Sequence, residues 1–172
     1  MRSEWVPKGE MEHILSALTP ENRLVCEVSL ATGLRVSDVL SLTPQKVRKQ
    51  RFTIREQKTG KTRNIRLPKD LVTRCLACSG MHYIFEHRIN GRKPRTRQAV
   101  YKDLKRVAAL YGCKKNITPH STRKVFAVEE FERTGDLKKV QKLLNHSDEA
   151  VTILYAMANI IGKRKNFKKV GK

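Results

Sequence analysis

Over most of its 172 residues this chain spaces its apolar side chains for α-helices, and one stretch departs from that spacing. Residues 20–32 and 97–111 place apolar residues every three to four positions, which predicts amphipathic helices. In residues 51–67, by contrast, Phe52 and Ile54 alternate with polar residues up to a turn around Gly60. Alternation of this kind predicts a β-hairpin. The sequence therefore predicts a mainly α-helical fold with one small antiparallel sheet, of the α+β class.

Residues that favour helix starts and stops set the limits of the other elements. Helices are predicted at residues 8–18, 20–32, 38–42, 68–77, 97–111, 119–134, 137–144 and 148–158. Gly33 fits the left-handed position after a helix, and Thr96 and Asp136 fit N-caps. Ser37 is the predicted cap of the short third helix, which Pro44 should end. We expect one domain over residues 1–160 and a basic C-terminal tail over 161–172.

The charge of the chain is extreme and unevenly distributed. The formal net charge is +21, yet residues 1–45 carry four basic and six acidic side chains. Residues 46–66 hold nine Lys or Arg with Glu56 as the lone acid, and residues 88–106 hold eight with Asp103 as the lone acid. Such segments favour a polyanionic partner, with nucleic acid as the leading class. The sequence shows neither a long apolar span nor a signal peptide, which predicts a cytoplasmic, DNA-associated protein.

A small set of polar residues is suited to attack on a phosphodiester. Arg35 ends an Ala-Thr-Gly-Leu-Arg segment, His120 and Arg123 lie three apart, and His146 precedes Tyr155 by nine positions. Two guanidiniums can neutralise and hold the non-bridging oxygens of a phosphate. A tyrosine can attack the phosphorus if a nearby base or cationic surroundings activate its hydroxyl.

These segments, in their order along the chain, resemble the motifs of the tyrosine recombinases, the phage integrase family. ATGLRVSDVLSL resembles the segment with the first catalytic arginine, here Arg35, and EQKTGKTRNIRLP resembles the hairpin with the catalytic lysine, here Lys58. TPHSTRKVFA resembles the His-x-x-Arg box, and LLNHSDEAVTILYA resembles the final box with His146 and the nucleophile Tyr155. The resemblance covers roughly residues 8–158 and implies the catalytic-domain fold of that family.

The resemblance also implies roles for these side chains. Arg35 and Arg123 would hold the phosphate, and His146 would donate a hydrogen bond to it. Asp38, three residues after Arg35, would orient that arginine. The family needs no metal or nucleotide cofactor.

The remaining roles concern proton transfer and the covalent intermediate. Tyr155 would form a 3′-phosphotyrosyl link to DNA, with His120 as its base. Lys58 would protonate the departing 5′ oxygen. Lys61 lies in the same turn and is the alternative to Lys58 for that role.

Double-stranded DNA is the implied partner, together with further copies of the chain, as a tetramer on DNA by family. Accessory proteins are compatible with this reading, whereas a membrane partner is not expected. The family usually adds an N-terminal DNA-clamping domain, and its absence from this sequence predicts weaker, less specific binding. The side chains expected to contact DNA are basic and flank the motifs, namely Lys61, Arg63, Arg95, Arg97 and Lys124.

Alternative functions remain open from the sequence alone. Residues 137–156 also fit two short helices with a tight turn, as in a non-catalytic helix-turn-helix-like DNA-binding module. Relaxation of DNA without recombination, as by a type IB topoisomerase, uses similar chemistry. An RNA-binding ribosomal role is the weakest alternative. Cys75 and Cys78 form a Cys-x-x-Cys pair that fits either a zinc site or, with stronger support, simple packing.

Overall fold

The computed structural model describes residues 3–144, and the chain divides into two compact units, residues 1–126 and 127–172. The first unit contains α1 (Lys8–Ser16), α2 (Pro20–Thr32), α3 (Val36–Leu40), α4 (Pro44–Arg48), β1 (Arg51–Arg55), β2 (Thr62–Arg66), α5 (Lys69–Ala77) and α6 (Arg97–Leu110). Helix α7 (Pro119–Thr134) begins in the first unit, and α8 (Leu137–Leu143) belongs to the second. The predicted fold class, mainly helical with a small antiparallel sheet, is confirmed.

The sheet consists of β1 and β2 in antiparallel register, with Phe52 opposite Ile65 and Ile54 opposite Arg63. Exposed and buried positions alternate along both strands because successive side chains point to opposite faces. The inward positions carry Phe52, Ile54 and Ile65, which join the core, and also Arg63. The cationic side chain of Arg63 therefore occupies one of the inward-facing positions of β2.

The predicted helix ends are confirmed where local chemistry determines them. Gly33 adopts a φ of 65° at the end of α2, and a Cβ added there would lie 2.4 Å from the ring of Phe126. Glycine is required at this position for both reasons. The side chain of Thr96 accepts a hydrogen bond from the N–H of Ala99 at the start of α6, and Asp136 does the same for Lys139 in α8.

The region between α2 and β1 differs from its prediction. Helix α3 begins at Val36 rather than residue 38, and Arg35 rather than Ser37 occupies the N-cap position. Pro44 opens the additional helix α4, which the sequence pattern did not predict. Proline favours the first turn of a helix because its φ is already helical and its missing N–H is not needed there. The same residue can therefore mark a stop or a start.

The core of the first unit draws on every helix from α1 to α7 and on the hairpin. Its fully buried members include Met11, Val25, Leu34, Val39, Leu67, Leu104 and Val107. Leu34 and Val36 flank Arg35, so the backbone of this arginine is fixed between two buried side chains. In the described part of the second unit, Val140 is buried on α8. Among residues 3–144, no helix has the length and apolar character needed to cross a membrane.

Candidate functional site

Arg35 lies between the left-handed residue Gly33 and the first turn of α3, with 8% of its surface exposed. Its Nη1 donates a hydrogen bond to Oε2 of Glu56 at 2.6 Å. Its Nε and Nη2 are buried and have no hydrogen-bond partner within residues 3–144. One edge of the guanidinium is thus held by Glu56, while the other two nitrogens have no acceptor among the described residues.

Arg123 lies in the first half of α7, and 2% of it is exposed. Its Nη1 donates to the backbone oxygen of Gly33 at 2.6 Å, two residues before Arg35. The positive charges of Arg35 and Arg123 both act on the carboxylates of Asp38 and Glu56. The structure therefore brings the two predicted phosphate-binding arginines to one place.

Glu56 contacts Arg35, although the sequence motifs did not indicate it as a site residue. Burial raises the pKa of this carboxyl, but the hydrogen bond from Thr59 and the charge of Arg35 outweigh that effect and hold the pKa below its ordinary value. A signal was present in the sequence, since Glu56 is the lone acid among nine cations in residues 46–66. It also continues the inward alternation of Phe52 and Ile54.

Asp38 does not take the role expected of it. The carboxylate bonded to Arg35 is that of Glu56, whereas Oδ1 of Asp38 accepts the backbone N–H of Gln57 at 2.9 Å. Oδ2 of Asp38 is buried without a hydrogen bond in the described part of the chain. Burial, the largest influence, raises the pKa of Asp38 despite the nearby arginines.

The bond between Gln57 and Asp38 also positions Lys58. Because Gln57 is fastened to α3 by its backbone, the exposed turn that follows it begins beside Arg35. Lys58 is the first residue of that turn after Gln57 and is itself exposed. The turn that carries Lys58 is therefore anchored to α3, the helix whose N-cap position Arg35 occupies.

His120 occupies the first turn of α7 and is half-buried. Its backbone N–H donates to Oγ1 of Thr118, and the hydroxyl of Ser121 accepts from the N–H of Thr118, so the two side chains cap the helix. Oγ1 of Thr122 donates to Oγ of Ser29 at 2.8 Å, which fastens this turn to α2. The His-x-x-Arg box is thereby held against the segment that leads to Arg35.

The side chains predicted to contact DNA fall into two groups. Lys61 and Arg97 are exposed, as a phosphate contact requires. Arg95 and Lys124 are half-buried, and they donate to Oδ1 of Asn22 and to the backbone oxygen of Ser3 respectively.

Arg63 differs from the expectation of a surface phosphate contact. It is 8% exposed, and its guanidinium donates to the backbone oxygens of Thr32 and Gly33. Burial lowers the pKa of Arg63, although the charge of Glu56 opposes this shift. Its partners lie inside the protein, beside Arg35 and Arg123.

His146, Tyr155 and the boundary expected at residue 160 lie outside the described residues. The roles assigned to these two side chains, like those of the other site residues, stay predictions.

Of the two cysteines, Cys75 packs in the core, whereas Cys78 is exposed. Cys75 is fully buried on α5, and burial raises the pKa of its thiol to about 12. Cys78 donates from its thiol to the backbone oxygen of Cys75. In the described part of the chain, His, Cys, Asp and Glu form no group of three or more placed to hold a metal.

Comparisons with known proteins identify the family of the chain. The family model described as "Phage integrase family" matches residues 4–160. Tyrosine recombinase XerD of Lacticaseibacillus casei is 34% identical over 154 residues, which covers 78% of this chain and 49% of that protein. The probable integrase/recombinase YoeC of Bacillus subtilis is 32% identical over 129 residues, which covers 72% of this chain and 70% of YoeC.

Solved structures share the fold. A lambda integrase dimer bound to a COC′ core site superimposes with a TM-score of 0.74 at 22% identity, covering 89% of this chain and 48% of that one. A lambda integrase tetramer bound to a Holliday junction gives a TM-score of 0.68 at 22% identity, covering 86% and 48%. The chain spans about half the length of the XerD relative and of these integrase chains. Because the family model matches nearly the whole sequence, this chain belongs to the phage integrase family of tyrosine recombinases.

Proposed function

We propose that this chain cleaves and rejoins DNA strands through a 3′-phosphotyrosyl intermediate, as the catalytic domain of a site-specific recombinase. The main support is the state of Arg35, which is more than nine-tenths buried while Nε and Nη2 have no acceptor among residues 3–144. A buried donor left without a partner costs about 1–3 kcal/mol. The non-bridging oxygens of a phosphodiester are acceptors of the matching charge and geometry.

The charge balance around Arg35 also supports an anionic ligand. Three buried guanidiniums, those of Arg35, Arg63 and Arg123, face the two buried carboxylates of Asp38 and Glu56. One positive charge is left in excess if both carboxylates are ionised. A phosphodiester carries one negative charge and would balance it. Donors fixed before the reaction also stabilise the charge that develops in the transition state, without further reorganisation.

The reaction then follows from the side chains. The Oη of Tyr155 attacks the phosphorus while His120 accepts the phenolic proton. The bond between phosphorus and the 5′ oxygen breaks, and Lys58 supplies the proton that this oxygen takes up. His146 donates a hydrogen bond to the phosphate. Attack by a 5′-hydroxyl on the phosphotyrosyl link reverses these transfers and reseals a strand, because the link retains the phosphoester bond energy.

Double-stranded DNA is the proposed partner, along residues 46–66 and 88–106, where exposed cations such as Lys61 and Arg97 occur. Assembly of several copies on DNA is proposed by analogy with the lambda integrase tetramer on a Holliday junction. DNA association is likewise the proposed cellular state, and accessory proteins are compatible with it.

Trapping of the covalent intermediate tests this function. The substrate is a pool of nicked duplexes with randomised sequence around the nick, because the short fragment released by cleavage diffuses away and prevents resealing. The wild-type chain should form an adduct with DNA that survives denaturation, and Tyr155→Phe should form none because the attacking oxygen is gone. Tyr101→Phe is the matched control and should behave as wild type, since Tyr101 lies on the exposed face of α6.

The outcomes separate the alternatives. An adduct with Tyr155→Phe would show that another residue is the nucleophile. DNA binding without any wild-type adduct would favour the non-catalytic module. Adduct formation with relaxation of supercoiled DNA, but without strand exchange between two sites, would favour the topoisomerase-like function.

A further inference from the structure

Glu56 occupies the junction between the arginine pair and the lysine turn. Its backbone N–H donates to the oxygen of Lys61 at 3.0 Å, and its backbone oxygen accepts the N–H of Gly60 at 2.9 Å, so the main chain of Glu56 closes the turn that carries Lys58. Its side chain is 1% exposed and accepts from Arg35 at 2.6 Å. One residue therefore connects the two halves of the site.

Both oxygens of the Glu56 carboxylate face cations or donors. Oε2 accepts from Nη1 of Arg35 and from Oγ1 of Thr59 at 3.0 Å. Oε1 lies 3.7 Å from Nη1 of Arg63, which is an ion pair without a hydrogen bond. Thr59, in the turn, and Arg63, on β2, thus fix the position of the carboxylate. The carboxylate itself fixes Nη1 of Arg35.

The backbone oxygen of Gly33 completes this arrangement. It accepts from Nη1 of Arg123 at 2.6 Å and from Nη1 of Arg63 at 3.3 Å. Arg63 therefore contacts the acceptor of each of the two phosphate-binding arginines, Glu56 for Arg35 and Gly33 for Arg123. Through Arg63, displacement of either acceptor would be transmitted to the other arginine.

The bond to Glu56 determines which donors Arg35 presents. Because Nη1 is directed to Glu56, Nε and Nη2 remain as the donors without a partner in the described residues. A guanidinium is planar and rigid, so fixing one of its nitrogens restricts the directions of the other two. A neutral side chain at position 56 would bind Nη1 more weakly and would leave the orientation of the guanidinium less restricted.

We propose that Glu56, supported by Arg63, is a positioning residue for strand cleavage, which orients Arg35 towards the phosphate and fixes the turn of Lys58 beside it. This inference rests on the proposed function. It predicts a specific pattern, because removal of the Glu56 charge leaves more positive charge near the phosphate while the alignment of Arg35 is lost. Cleavage should become slower although DNA binding is kept.

The experiment compares wild type, Glu56→Gln and Glu56→Asp on the same pool of nicked duplexes. We expect the single-turnover rate of adduct formation to fall about 10–100-fold in Glu56→Gln, by analogy with residues that orient the ligands of a metal ion. The dissociation constant for DNA should stay within about twofold of wild type or become smaller, because no phosphate-binding cation is removed. Glu56→Asp retains the charge and should restore part of the rate.

Asp103→Asn is the matched control. Asp103 is also a buried carboxylate that accepts from an arginine, Arg106, but its hydrogen bonds link α6 to Thr19 and Asn22 and do not involve Arg35. The rate of adduct formation per folded molecule in Asp103→Asn should equal that of wild type. A purely structural role of Glu56 would instead lower the number of active molecules, so that adduct yield and bound fraction fall together while the rate constant is unchanged.

Several results would overturn this proposal. A wild-type rate constant in Glu56→Gln would do so, as would an equal loss in Asp103→Asn. If Glu56→Gln does not fold, Thr59→Val removes one hydrogen bond to the same carboxylate, and an unchanged rate in that variant would also overturn the proposal. Absence of an adduct with wild type would refute the proposed function itself, whereas a wild-type adduct with an unaffected Glu56→Gln refutes only the role of Glu56.

Discussion

Two buried carboxylates, Glu56 and Asp103, invite comparison because each is the lone acid in a strongly basic segment. Both are nearly inaccessible, with 1% and 8% of their surface exposed. Around Asp103 every oxygen is bonded, since Oδ2 accepts from Thr19 and Asn22, and Oδ1 accepts from Arg106. Around Glu56, by contrast, buried polar atoms have no hydrogen bond within residues 3–144, namely Oε1 of Glu56, Oδ2 of Asp38, and Nε and Nη2 of Arg35.

The difference separates a structural network from a candidate binding site. A buried polar network stabilises a fold when all its members are satisfied, and is unfavourable when they are not. The Asp103 cluster meets the first condition, because the hydrogen bonds from Asn22, Thr19 and Arg106 overcome the effect of burial and hold the pKa of Asp103 below its usual range. The Glu56 cluster keeps unmet donors on a cation, which is the state expected of a site built for an anion.

Substituting one arginine in each cluster should give the largest contrast. We expect Arg35→Lys to slow adduct formation about 10²–10³-fold, the loss typical when one donor to a transition-state charge is removed. Arg106→Lys should leave the rate unchanged, because Arg106 serves Asp103 and the backbone of Ala17. Single-turnover kinetics on nicked DNA measures both. Equal effects would remove the distinction between the clusters.

The Asp103 cluster should matter mainly for stability. Asp103→Ala leaves Asn22 and Thr19 without their shared acceptor, which should lower the free energy of unfolding by about 1–3 kcal/mol. Urea denaturation at neutral pH provides the measurement. The cleavage rate per folded molecule should not change, and a slower rate would mean that Asp103 also influences the site.

The loss of stability in acid should depend on the ionisation of Asp103. Because the pKa of Asp103 is lower in the folded than in the unfolded state, its contribution is fully present above the ordinary aspartate pKa of about 4. That contribution is lost as the pH falls through the folded pKa. The wild-type free energy of unfolding should therefore decrease on acidification below about pH 4, and Asp103→Asn should decrease less steeply. Parallel pH profiles of the two proteins would contradict the assignment.

The smallest expected effect concerns the cations on the hairpin. Lys61 is exposed, and Lys61→Ala should weaken DNA binding and reduce the slope of log affinity against log salt by about 1. Arg63 is buried, so Arg63→Gln should leave that slope unchanged. Titrations at several salt concentrations test this pair, and a reduced slope in Arg63→Gln would return that residue to the DNA-contacting group.

Local chemistry made much of the fold predictable. The alternation in residues 51–67, the left-handed Gly33 and the caps at Thr96 and Asp136 all depend on neighbours within a few positions. Helix α4 escaped prediction because proline fits both the end of one helix and the start of the next. Tyr111, the last residue of the predicted helix 97–111, is the C-cap of α6, 40% exposed and stacked on His13.

The partners of the site residues were less predictable than the residues themselves. Arg35, His120 and Arg123 stand in short motifs, whereas the bond from Arg35 to Glu56 spans 21 positions and that from Arg123 to Gly33 spans 90. Such pairs form only when the hairpin and α7 pack onto the end of α2. Asp38, three positions after Arg35, was therefore the natural choice of partner, whereas the carboxylate bonded to Arg35 is that of Glu56. Two sequence features pointed to Glu56: it continues the buried positions of β1, and it is the lone acid in residues 46–66.

The acceptor shared by Arg63 and Arg123 belongs to the main chain at Gly33. A substitution at another position does not remove this backbone oxygen, so few point mutations can abolish its hydrogen bond with Arg123. The arrangement is most sensitive to substitution at Gly33 itself, because any larger residue would clash with Phe126 and would disfavour the left-handed backbone conformation. Random mutagenesis screened for loss of strand transfer should thus yield many different replacements at this one codon.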